Sequence, residues 1–67
     1  MKTGASGVWL VVYMCTSLQT ADAVEQLLHS EGFLVRRREV LSSGMVELCV
    51  LESEAQEARK MLVEKGL

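Results

Sequence analysis

The chain has 67 residues, so it forms one domain near the lower size limit for a single hydrophobic core. Its formal net charge of −2, with 24% charged residues, gives no electrostatic reason to expect nucleic acid or an anionic membrane as partner. Two cysteines, one histidine and no Cys-x-x-Cys spacing leave too few ligands for a Cys/His zinc site, and no metal or other cofactor is expected.

Met1 to Gly7 reads as a flexible lead-in, and residues 8–67 as the folded domain. Lys2 ahead of an apolar stretch has the outline of a secretory signal. The stretch is short, however, carries Trp9 and Tyr13, and leads into Cys15-Thr16-Ser17 with no small-x-small cleavage site. It also falls well below the roughly 20 apolar residues of a membrane helix, so a cytoplasmic protein is expected.

Val8 to Cys15 is apolar at every position and rich in β-branched and aromatic residues, which predicts a strand covered on both faces. Strand alternation assigns Val8, Leu10, Val12 and Met14 to one face and Trp9, Val11, Tyr13 and Cys15 to the other. Thr16-Ser17-Leu18-Gln19 has capping-box spacing, and Leu18, Ala21, Val24, Leu27 and Leu28 make the apolar stripe of a first helix. Gly32 stops that helix, with Phe33 folding back onto its last turn. Leu34 to Leu41 is a second strand carrying Arg36, Arg37, Arg38 and Glu39.

Ser42-Ser43-Gly44 is a hairpin connection into a third strand, Met45 to Leu51, with Val46, Leu48 and Val50 on one face and Glu47, Cys49 and Leu51 on the other. Ser53-Glu54-Ala55-Gln56 repeats the capping box and opens a second helix. Its inner stripe is Ala55, Ala58, Met61 and Leu62, while Glu57, Arg59, Lys60 and Glu64 face water. The cysteines both fall in apolar strand segments and read as small, reduced, buried hydrophobes.

A right-handed β-α-β crossover, with both helices covering one sheet face, places the third strand between the first and second. The predicted fold is α+β: a βαββα two-layer sandwich with a three-stranded antiparallel or mixed sheet, ferredoxin-like without the last strand. One edge of the first strand is then unpaired, and the face opposite the helices is bare. No proline, bulge-forming glycine or charge protects Val8 to Cys15. A homodimer through the first strand, edge to edge or face to face, is therefore expected, with Trp9, Val11 and Tyr13 as its contacts.

From Thr16 to Leu62 the chain resembles the prokaryotic signal-transducing protein family, a domain family of unknown function with βαββα order. The similarity is carried by Ala21-Asp22-Ala23-Val24-Glu25-Gln26-Leu27-Leu28-His29-Ser30-Glu31-Gly32-Phe33 and by Val50-Leu51-Glu52-Ser53-Glu54-Ala55-Gln56-Glu57-Ala58-Arg59-Lys60-Met61-Leu62. The resemblance implies a regulatory or sensing role, by analogy with PII-type and ACT-type ferredoxin-like regulators.

Arg36-Arg37-Arg38 is the one sharp charge cluster. Arg36 and Arg38 share a strand face and are the candidate anion-binding pair; the other reading is cross-strand pairing with Glu39 or Glu47. His29 has no identifiable nucleophile beside it, and Glu52 and Glu54 sit where a helix start favours carboxylates, so no catalytic residue is expected. Two functional readings stay open. One is a non-enzymatic regulatory module that dimerises and senses a small metabolite where the chains meet. The other is an adaptor that applies the same face to another protein without a ligand.

Overall fold

A computed structural model describes residues 7–67. Apart from Gly7, the lead-in expected over residues 1–7 lies outside the described residues. The elements run β1 (Trp9–Cys15), α1 (Leu18–Ser30), β2 (Arg36–Val40), β3 (Met45–Leu51) and α2 (Glu52–Glu64). The sheet order is β1-β3-β2 and both pairings are antiparallel. This is the expected α+β architecture, a ferredoxin-like βαββα sandwich without its fourth strand. β2 is shorter than the Leu34–Leu41 segment read from sequence: Leu34 is 63% and Leu41 91% exposed, flanking the paired residues.

Both helices cover one face of the sheet. Ala21, Val24 and Leu28 of α1 and Ala55, Ala58, Met61 and Leu62 of α2 close on Val46, Leu48 and Val50 of β3. Leu28, Leu48 and Val50 are the largest fully buried side chains, and the alanines let the helix backbones approach the sheet closely. All four residues of the α2 stripe are buried as expected. Leu18, assigned to the α1 stripe, is instead 56% exposed.

β1 departs from simple alternation. Trp9, Leu10 and Val11 pair with Leu51, Val50 and Cys49, but Tyr13, Met14 and Cys15 pair with Leu48, Glu47 and Val46, leaving Val12 as an extra residue. This is a β-bulge, formed without glycine. It reverses the facing of everything after it. Leu10, Val12, Tyr13 and Cys15 pack against the core, and Met14 emerges 51% exposed beside Glu47 on the other face. The expected placement of Tyr13 and Cys15 with Trp9 and Val11, and of Met14 and Val12 together, is corrected accordingly.

The helix ends follow from backbone hydrogen bonding. Ser17, not Thr16, caps α1, its hydroxyl accepting from the Thr20 N–H at 3.2 Å. α2 starts at Glu52 with no side-chain cap, because β3 runs straight into it and Leu51, still extended, holds the cap position. The Glu52 N–H is used by the sheet, donating to the Val8 carbonyl at 3.0 Å. Glu52 and Glu54 lie in the first turn, where the helix dipole favours carboxylates. Both helices finish in Schellman turns. Phe33 N–H donates to Leu28 O and Gly32 N–H to His29 O, each at 3.0 Å; Leu67 and Gly66 repeat this on Leu62 and Val63 at 2.9 and 3.0 Å. Gly32 and Gly66 have φ of 94° and 83°, a region other residues enter only with strain.

No helix among the described residues is long and apolar enough to cross a membrane. The cap assignment can be checked by equilibrium urea unfolding. Ser17→Ala should cost about 1 kcal/mol, while Thr16→Ala should stay within about 0.5 kcal/mol of the parent.

Candidate functional site

The face of the sheet away from the helices carries Trp9, Val11 and Met14 from β1, Glu47, Cys49 and Leu51 from β3, and Arg36 and Arg38 from β2. Its central feature is a contact between the two outer strands. The Arg36 guanidinium carbon lies 5.0 Å from the centroid of the Trp9 ring, a cation–π arrangement. Since β3 runs between β1 and β2, the two side chains meet above it. Cys49, in register with Arg36 on one side and Val11 on the other, is only 6% exposed although it is outside the core beneath the helices. Long side chains lying across the sheet thus supply part of a missing third layer.

The three arginines do different work. Arg36 stacks on Trp9. Arg37 points to the helix side, where its guanidinium donates to Asp22 at 2.6 Å and to Glu25 at 2.7 and 3.1 Å, tying β2 to α1. These carboxylates, Asp22 first, hold its pKa above the ordinary arginine value. Arg38 donates to one oxygen of Glu47, its partner in register, at 2.8 Å from Nε and 2.6 Å from Nη2. Arg36 and Arg38 share a face as the sequence implied, and each already has an intramolecular partner. An anion at Arg38 would have to displace a carboxylate.

Of the expected interface residues, Trp9 and Val11 are on the open face and Tyr13 is not. Met14 joins the face and was not foreseen, since nothing in Val11-Val12 distinguishes a bulge from regular strand. The cysteines are free and lie on opposite faces of the sheet. Cys15 sits beside the Ser17 carbonyl, with Sγ 3.5 Å from its oxygen. Burial pushes the Cys49 thiol pKa up, against the pull of the Arg38 and Arg36 charges. His29 is half exposed, its Nε2 4.0 Å from Glu25. No group of three or more His, Cys, Asp or Glu among the described residues is arranged to hold a metal ion. A shallow groove of about 370 Å³ between α2 and the turn after α1, lined by Glu31, Phe33, Glu57, Lys60, Met61 and Glu64, contains none of the expected site residues.

No protein-family model, curated protein or solved structure matches the chain.

The covered thiol has a measurable consequence. A raised pKa in the folded state means that folding favours the protonated thiol. That contribution is complete below the ordinary thiol value, about 8.5, and is lost as pH rises through the folded-state value. Cys49 should therefore alkylate slowly with iodoacetamide in the native protein and readily in urea. Trp9→Ala, which removes the ring on which Arg36 stacks, should speed the native reaction at least about tenfold. An unchanged rate would mean that the Trp9–Arg36 contact does not shield the thiol.

Proposed function

We propose that this chain is a small, non-enzymatic regulatory module that acts by homodimerisation through the part of the open face carried by β1. The observation that supports this reading is the composition of that face. Antiparallel sheets with one solvated side ordinarily alternate apolar inward and polar outward. Here Trp9, Val11, Met14, Cys49 and Leu51 place an apolar stripe on the side without helices, rimmed by Arg36, Arg38 and Glu47. An apolar centre with a charged rim is the usual composition of a contact surface, and Trp9 joins a large apolar area to a polar N–H. Tyr13 has no part in it. Trp9 and Val11 are the contacts retained from the sequence, with Met14 added.

The regulatory half of the proposal rests on the resemblance to the prokaryotic signal-transducing family and on analogy of fold with PII-type and ACT-type regulators. A cytoplasmic location and a small metabolite bound between protomers belong to the same proposal, since a chain of this size can enclose a ligand only where two copies meet. Arg36 is the residue best suited to an anionic group on such a ligand, because release from Trp9 breaks no ion pair.

A second reading is an adaptor that docks this face on another protein, and the small size of the face bears on both readings alike. Strands of seven residues and a spacing of about 4.8 Å give a projected area of about 300 Å², against about 800 Å² per partner in a standard stable interface. Either partner is then held weakly. Sedimentation equilibrium over a wide concentration range tests the dimer. The parent chain should show reversible, concentration-dependent dimerisation, and Val11→Lys should remain monomeric with native circular dichroism. A variant that dimerises like the parent would rule this face out.

A further inference from the structure

The outer edge of β1 has no strand beside it among the described residues, and the ladder on its inner side fixes which peptide groups look outward. The Glu52 N–H donates to the Val8 carbonyl, so Val8 and Glu52 form a hydrogen-bonded pair. In an antiparallel ladder such pairs alternate with non-bonded ones. Leu10 opposite Val50 is therefore the next bonded pair, and the N–H and C=O groups of Trp9 and Val11 point away from β3, toward the free edge. Those outward groups belong to an uncharged apolar strand, and that strand is self-complementary: a second copy related by a two-fold axis at Leu10 could pair Trp9 with Val11 in both directions.

One of the four groups this pairing needs is already taken. Arg59 of α2 donates from Nη2 to the Val11 carbonyl oxygen at 3.0 Å. The helix leaves Arg59 free to do so, because its neighbours at three and four residues either way are Gln56, Ala55, Leu62 and Val63, none of them a carboxylate. Immediately after Val11 comes the bulge at Val12, which throws the outward series out of step before Met14. Arg59 was read from sequence as a plain water-facing residue; it remains exposed but reaches the strand edge.

We infer that Arg59 guards the outer edge of β1 against strand addition by the β1 of a second copy, with the Val12 bulge limiting the regular edge to Trp9–Val11. The guard leaves the open face as the surface free for association, but it stands or falls independently of the dimer proposed above.

The test is Arg59→Ala in the full chain, followed by sedimentation velocity and amide hydrogen exchange. The expected result is a species larger than any formed by the parent, growing with concentration, with new protection of the Trp9 and Val11 amides. The parent's size distribution together with unprotected Trp9 and Val11 amides would overturn the inference. Should the variant lose its fold, nitrogen-15 NMR of the Arg59 guanidinium in the parent decides. Separate, slowly exchanging Nη signals uphold the guard, and a freely rotating group overturns it. A parent that stays monomeric while Arg59→Ala associates would remove the proposed dimer and keep the guard; a dimeric parent with a silent Arg59→Ala would do the reverse.

Discussion

One extra residue in β1 determines how this domain uses its sheet. The bulge at Val12 lets two consecutive residues, Val12 and Tyr13, both pack against the core. The most apolar strand can then put Tyr13 and Cys15 beneath the helices and still present Trp9, Val11 and Met14 on the other side. Without it, the Tyr13 ring would leave the core and Met14 would replace it. The large area of an aromatic ring makes that exchange unfavourable in a chain with so few aromatics to bury. The bulge also bends and twists the strand at its free edge, one of the devices by which sheets discourage further pairing.

What lies outside the two-layer core is organised by arginine. β2 carries three in a row, and each is drawn in a different direction by its register: Arg37 to the carboxylates of α1, Arg38 to Glu47 across the ladder, Arg36 over β3 to the face of Trp9. Arg59, from the opposite side of the sheet, completes the set on the Val11 carbonyl. Planar, permanently charged and long, these side chains can stack, chelate and cap a carbonyl, where a lysine would act only as a point charge. In a domain this small they bind the outer strand and the sheet edge to the rest, and ion pairs at the surface add little stability individually. Their value is in positioning.

The architecture was legible because each element carries its own period and end signal. The Ala55, Ala58, Met61 and Leu62 stripe, the Gly32 stop and the Val46, Leu48 and Val50 face all depend on local patterns that tertiary structure had no reason to override. The bulge was not legible. Val11 and Val12 have the same side chain and strand preference, so register is settled only by what β3 and the helices can accept. The α1 cap moved from Thr16 to Ser17 because two adjacent hydroxyl residues compete for one position and the strand end decides between them. The capping-box spacing at Ser53 does not mark the α2 cap, because β3 runs directly into the helix, Leu51 holds the cap position and the sheet takes the Glu52 N–H. The Trp9–Arg36 contact and the reach of Arg59 join residues far apart in the chain, and no spacing rule connects them. The candidate site was therefore partly readable: alternation puts Trp9 and Val11 on the open face and gives Arg36 and Arg38 a common face, but it does not say that the arginines join Trp9, and it puts Tyr13 on the wrong side.

The most direct test of this account is a nuclear Overhauser spectrum of the folded chain, read at the Tyr13 ring and the Met14 methyl group. With the bulge at Val12, Tyr13 contacts methyl groups of the core shared by α1 and α2, and Met14 contacts only residues of the open face. Helix contacts from Met14, with none from Tyr13, would show an unbroken strand and contradict the arrangement that puts Met14 on the open face and Tyr13 in the core.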